Sequence, residues 1–145
     1  MKIKPGLLIQ TTIVSTLVFM LIDAGVEYTS NKIIGLSFLP FFEEMLNISL
    51  GTRFHAVNFL LFSCEMLAVM SLYITLRSLY PSPVKPLVIS ITIPSSISIL
   101  ILFQTVNLGL YPIKPAILVI ISMLTGFPAG ILSGAYTYEK IYINN

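Results

Sequence analysis

The sequence predicts an all-α fold: a polytopic membrane protein with four transmembrane helices and an amphipathic or re-entrant segment in the first external loop. Three observations predict it. Of the 145 residues, 56% are hydrophobic and 10% are charged, whereas soluble domains carry about 25% charged residues. The mean hydropathy is +0.94. The apolar residues also gather into four runs, each near the roughly 20 residues that a helix needs to cross the hydrocarbon core of a bilayer.

The four runs set the predicted helix boundaries within a single domain that covers residues 1–145. They extend over about 6–26, 54–76, 87–108 and 115–137. Helix is the conformation that suits them, because an open set of strands would leave backbone groups unpaired in lipid. The first run follows Lys2 and Lys4 and could also be a secretory signal peptide, but its length and the lack of a cleavage site before Asp23 favour a retained helix.

The first loop, from Glu27 to Arg53, is unusually apolar for a connection. In the segment 38–50, Phe38, Phe41, Phe42 and Met45 can share one helical face, while Glu43, Glu44 and Asn47 occupy the other. This pattern is typical of an interfacial amphipathic helix or a re-entrant segment. We expect a short helix that covers the bundle at the headgroups, with contact to a substrate or partner as the alternative.

Orientation is predicted from the basic residues near the membrane. If the N-terminus is cytoplasmic, five basic residues lie inside (Lys2, Lys4, Arg77, Lys85 and Lys140) and three lie outside (Lys32, Arg53 and Lys114). The bias predicts a multi-pass protein of the cell membrane with both termini in the cytoplasm. The basic residues are scattered and form no run, so the sequence does not favour nucleic-acid binding.

The scarcity of metal-binding residue types limits the chemistry. Cys64 is the only cysteine and His55 the only histidine, which excludes an internal disulfide, a cysteine metal cage and bis-histidine haem ligation. Asp23 and Glu27 are the only acidic pair spaced to share one helical turn. We therefore expect no catalytic residue, no metal and no cofactor.

Glu65 lies at the centre of the second apolar run, where a carboxyl group is costly and requires a partner, a proton or a function. Asn58 lies seven residues before it, within about 20° on a helix. His55 lies about a turn further towards the predicted outer surface and off to one side. These three residues predict a polar line that descends along the second helix from the outer surface to the middle of the membrane.

Two other helices carry polar positions that could meet this line. Thr12, Thr16 and Asp23 lie on one stripe of the first helix, and Gln104 and Asn107 lie near the outer end of the third. If these faces converge, they form a hydrophilic core in the outer half of the bundle. The alternative is ordinary hydrogen bonding between helices, where each bond contributes about 0.6 kcal/mol on average.

The fourth helix carries a face of small residues. Gly126, Gly130 and Gly134 recur every fourth residue, and this spacing lets two helix backbones approach closely. The sequence does not identify the neighbour, which could be a helix of the same chain, a second copy or another protein. Pro128 lies within this face and is expected to kink the helix.

These features predict a small non-catalytic subunit or scaffold component of a larger integral membrane complex. Its expected partners are the lipid bilayer and either other membrane-protein subunits or further copies of itself. The alternative is a small transporter coupled to protons or cations, which would use Glu65 and act as a homo-oligomer. A third hypothesis is a membrane-embedded enzyme built on the outer acidic cluster, whose activity would depend on Asp23 or on the neighbouring His55.

Overall fold

The computed structural model is a bundle of four helices and describes residues 5–35 and 51–143. Helix α1 covers Pro5–Ile34, α2 covers Gly51–Leu79, α3 covers Val84–Asn107 and α4 covers Ile113–Ile143. Each contains a stretch that is long and apolar enough to cross a membrane. The predicted all-helical fold, with four helices long and apolar enough to cross a membrane, is therefore confirmed. Insertion into a membrane stays a prediction, and the predicted segment 38–50 lies outside the described residues.

The observed helices begin earlier or end later than the apolar runs, because a helix ends where its backbone is capped and not where hydropathy falls. α1 continues through Glu27 to Ile34. Its end is marked by Gly35, which has a φ of 67° and whose N–H donates to the carbonyl of Asn31 at 3.0 Å. Glycine suits this left-handed cap because it has no Cβ to clash.

The end of α3 has a more complete cap. Gly109 has a φ of 70°, and its N–H donates to the carbonyl of Val106. The next N–H, of Leu110, donates to the carbonyl of Thr105, and both distances are 3.0 Å. This pair of hydrogen bonds is the Schellman arrangement, which satisfies carbonyl groups at the end of a helix. It turns the chain sharply towards α4.

The four helices form two rows around a shared apolar core. α1 packs most extensively against α4 and also against α2, while α3 packs against α2 and α4. One buried cluster contains Phe19, Met66, Val69, Phe127 and Ile131. A second, nearer the end of the bundle that holds both chain termini, contains Met70, Tyr73, Ile74, Ala135 and Tyr138.

The glycine face of α4 packs against α1 of the same chain. A Cβ at Gly130 would lie 2.8 Å from the backbone oxygen of Ser15, and one at Gly134 would overlap the Ser15 hydroxyl. At Gly126 the nearest atoms belong to the Phe19 ring, at 3.1 and 3.3 Å. The neighbour that the sequence left open is thus the chain's own first helix. α4 remains one continuous helix through Pro128.

α1 meets these glycines with a row of small hydroxyl side chains. Thr11, Thr12, Ser15 and Thr16 are all buried. The Ser15 hydroxyl donates to the carbonyl of Thr11 at 2.9 Å, and the Thr11 hydroxyl donates to the carbonyl of Leu8, also at 2.9 Å. These two hydroxyls are satisfied by their own helix, whereas the buried hydroxyls of Thr12 and Thr16 have no hydrogen-bond partner among the described residues.

Candidate functional site

Glu65 lies midway along α2 and opens into a groove between α2 and α3. The groove has a volume of about 290 Å³ and is lined by Glu65, Ala68, Val69, Leu72, Pro94, Ile97 and Ser98. It lies on the side of the bundle: Ala68 is exposed, and the side chain of Ile97 is 52% exposed. The carboxyl group of Glu65 is half-buried at this lateral surface.

The groove holds little polar chemistry besides this carboxyl group. The Ser98 hydroxyl, on the facing side of α3, is the other polar side-chain group in the lining. The other lining residues are apolar, and no described Lys, Arg or His side chain is among them. The arrangement therefore offers oxygen atoms from a carboxyl and a hydroxyl group, and nothing in the lining that would neutralise a negative charge.

The remaining members of the predicted polar line on α2 are only partly described. Asn58 is half-buried, as Glu65 is, which agrees with their placement on one face of the helix. For His55 the structure describes the backbone, within α2, and not the side chain. Whether the line extends to the end of the bundle as a polar path stays a prediction.

Asp23 lies at a different helix pair. Its carboxylate accepts a hydrogen bond from the hydroxyl of Ser122 on α4, and Ser122 is buried. Asp23 therefore joins α1 to α4, while Glu65 lies between α2 and α3. The polar residues of α3 are elsewhere again: Gln104 and Asn107 are exposed.

Asp23, Glu65, Gln104 and Asn107 thus lie at different helix pairs or on exposed faces and do not form one cluster. Aromatic side chains fill the space between Asp23 and Glu65 instead. The ring of Phe19 packs edge-on against Phe62, with centroids 4.7 Å apart, and against Phe127 at 6.2 Å. Phe19 precedes Asp23 by about one turn and Phe62 precedes Glu65 by about one turn, so the interior at this level is apolar.

The structure also shows a charged cluster that the sequence analysis did not identify. Arg77 pairs with Glu139 through two hydrogen bonds, from Nε to Oε1 at 2.7 Å and from Nη2 to Oε2 at 3.1 Å. The Tyr73 hydroxyl donates to the same Oε1 at 2.9 Å. The sequence did contain a signal for this pair. Arg77 and Glu139 each lie within about one turn of the C-terminal end of their helix, and in an up-and-down bundle the C-terminal ends of α2 and α4 lie at the same end.

This cluster fastens three parts of the chain together. Besides binding Glu139, Arg77 donates from Nη1 to the carbonyls of Tyr80 at 2.8 Å and Pro81 at 3.2 Å. α2, α4 and the turn into α3 are therefore joined at one guanidinium group. All three side-chain nitrogen atoms of Arg77 form hydrogen bonds within the chain. Arg77 therefore stabilises the bundle and has no free nitrogen atom for a ligand.

Within residues 5–35 and 51–143, no group of three or more His, Cys, Asp or Glu side chains is placed to hold a metal ion. The chain matches no protein-family model, no curated protein and no solved structure. The candidate site is therefore identified from the geometry of the structure alone. It is the groove beside Glu65, where an ionisable side chain midway along a helix is accessible to a neighbouring molecule.

Proposed function

We propose that the four helices cross the cell membrane, with both termini in the cytoplasm, and that the chain is a small non-catalytic subunit or scaffold component of a larger membrane complex. The observation that carries this proposal is the lateral position of Glu65. In a membrane, this carboxyl group would lie near mid-depth. Ionisable side chains at that depth are costly and almost always face other helices or water. A neighbouring subunit that covers the groove satisfies this requirement.

The lateral groove, and not the glycine face of α4, supports association with another protein. The glycine face of α4 is occupied by α1, so it no longer argues for an external partner. The lateral groove takes its place, because it combines small residues, which permit close approach, with a polar group that needs a neighbour.

A transporter coupled to protons or cations is the second candidate, and the size of the groove favours it. A volume of about 290 Å³ holds several water molecules, each occupying about 30 Å³ in the liquid. The oxygen atoms of Glu65 and Ser98 suit a hard cation. Because the groove opens sideways, this function also requires a second copy that closes it against lipid.

Mass determination of the intact particle tests both. The complex is extracted gently from the membranes of its host and measured by native mass spectrometry. We expect a particle heavier than the 16.0 kDa chain that contains at least one different polypeptide. A particle of one chain with bound lipid contradicts a subunit role. Copies of this chain alone, with a proton flux that Glu65→Gln abolishes, favour the transporter.

A pair of variants assigns the association to the groove. We expect Glu65→Leu to reduce the particle to the mass of the single chain, because the polar contact that holds the partner is lost. Gln104→Leu is the matched control, since it removes an exposed polar side chain outside the groove. The control is expected to retain the full particle, and equal masses for the two variants would place the interface elsewhere.

A further inference from the structure

We propose that the groove between α2 and α3 docks a transmembrane helix of a different protein, and that this helix carries a lysine or arginine midway along its span. The inference rests on the proposed function and identifies the chemistry of the partner. It combines the shape of the groove, the charge of Glu65 and the positions of the chain's own basic residues.

The shape of the groove fits a helix. Its α2 wall is formed by residues 65, 68, 69 and 72, and its α3 wall by residues 94, 97 and 98. Both sets follow the spacing of one helical face, so the groove runs along the bundle and not across it. Ala68 and Ser98 are small, which lets a third backbone approach closely between the two helices.

The carboxyl group of the groove is complemented by a basic side chain. The Ser98 hydroxyl is the other polar group beside Glu65, and the rest of the described lining is apolar. A carboxylate inside a membrane is stabilised by a basic side chain from a neighbouring helix, since ionisable groups at that depth pair with one another. The low dielectric strengthens this attraction relative to water.

Within the described part of α2, no lysine or arginine lies near enough to supply it. The nearest Lys or Arg residues in α2 are Arg53 and Arg77, each twelve positions from Glu65, or about 18 Å along a helix. Arg77 is also bound to Glu139. A second copy related by a two-fold axis along the membrane normal would set Glu65 against Glu65. Like charges repel, so the complementary residue comes from another protein.

A designed helix tests this chemistry directly. The full chain carries a fluorescent donor through Ser82→Cys in a Cys64→Ala background and is reconstituted in phosphatidylcholine vesicles. The probe is a synthetic leucine–alanine transmembrane helix with one central arginine and an acceptor dye. Its control has leucine at the centre. We expect energy transfer to report roughly tenfold tighter association for the arginine helix, the ratio expected from a polar contact of 1–2 kcal/mol in a membrane.

Three variants distinguish binding of the probe helix at the groove from its nonspecific association with the protein. Glu65→Gln should remove the preference for arginine, and Ala68→Phe should weaken binding of both probes by filling the groove. Leu132→Phe is the control for added bulk, because Leu132 is 49% exposed on α4, outside the groove. Equal binding of the two probes to the parent protein overturns the inference. Self-association of the parent chain that Glu65→Gln abolishes also overturns it, in favour of a second copy.

The outcomes distinguish this inference from the proposed function. A heavy native particle combined with no preference for the arginine helix leaves the subunit role standing and refutes the basic partner. A native particle of one chain refutes the subunit role, whatever the probes show. Because Ala68→Phe could disturb folding, Glu65→Gln, which nearly preserves side-chain volume, decides the result if the larger substitution fails to fold.

Discussion

Arg77 binds Glu139 with both carboxylate oxygens engaged, so the pair is held by geometry as well as by charge. Two-point pairs between arginine and carboxylate are among the stronger hydrogen bonds in proteins. Both side chains are 17% exposed, which leaves little screening by solvent. Lysine cannot replace this group, because one ammonium cannot reach Glu139 and both turn carbonyls in the same arrangement.

A double-mutant cycle tests this pair at the residue scale. We expect Arg77→Ala and Glu139→Ala each to lower the free energy of unfolding by about 2 kcal/mol, within the range for hydrogen bonds to charged groups. The double variant should lose clearly less than the sum, with a coupling of about 1 kcal/mol or more. Unfolding in mixed micelles with increasing dodecyl sulfate measures all four proteins. Strict additivity would show that the two residues stabilise the bundle independently.

Glu65 and Glu139 show how far single residues could be interpreted from the sequence. Glu65 stands out because no other Asp, Glu, Lys or Arg lies within eleven positions of it on either side. Glu139 did not, because a charged residue near the end of a helix is ordinary, and its meaning depends on which other helix ends nearby. The same dependence explains why Ser122, the partner of Asp23, was not identified.

At the scale of elements, the interface of α1 with α4 depends on the absence of side chains at specific positions. The sequence predicts that Gly126, Gly130 and Gly134 permit close packing, and atoms of α1 lie next to all three in the structure. The sequence did not predict which helix packs against these glycines, because small residues allow a short distance between helices and do not determine which helix is the neighbour. Thr11 and Ser15, four residues apart on α1, carry the complementary signal, whereas the sequence analysis treated the Thr12 and Thr16 stripe as polar.

Glycine-to-alanine substitutions in α1 and α4 should change the free energy of unfolding in different directions, depending on the space around each glycine. Gly130→Ala places a methyl group 2.8 Å from a backbone oxygen, which cannot move without shifting α1. Overpacking of this kind costs about 1–3 kcal/mol. We expect a net loss of unfolding free energy, measured in the same mixed micelles, even after the gain of about 1 kcal/mol that alanine brings to a helix interior.

Gly25→Ala is the matched control within α1, because nothing lies within 4 Å of its added Cβ. It should be neutral or stabilising. Gly126→Ala should fall between the two, since its nearest neighbour is an aromatic ring that can tilt by a few tenths of an ångström. If Gly130→Ala is as stable as Gly25→Ala, the close approach of α1 and α4 is absent in the membrane.

At the scale of the whole molecule, composition and the length of the apolar runs were enough to predict four helices. Both are set by the apolar core of a bilayer, which a spanning helix must match in length and polarity. The arrangement of the helices was less accessible. From the sequence, the polar faces could converge on a hydrophilic core or form ordinary hydrogen bonds between helices. In the structure, Asp23 bonds to Ser122, and Phe19 packs against Phe62 and Phe127. Burial of aromatic surface and small-residue packing determine the neighbours, and neither follows from the period of polar positions on one helix.

The topology of the bundle gives the last prediction. Because the helices alternate in direction, the turn between α2 and α3 and the turn between α3 and α4 must lie on opposite sides of the membrane. In a Cys64→Ala background, we expect Ser82→Cys to react with an impermeant maleimide only from the cytoplasmic side and Leu110→Cys only from the other. Both positions are exposed, so accessibility within each turn does not limit the reaction.

Inverted and right-side-out vesicles from one preparation supply the two faces, and permeabilised vesicles give the full extent of labelling for each variant. Reaction of both cysteines from the same side would mean that α3 does not cross the membrane. Glu65 would then no longer lie at mid-depth beside a spanning α3, and the case for a partner at the groove would fail. Opposite sides with the assignment reversed would preserve the four crossings and the groove, and would overturn only the cytoplasmic placement of the termini.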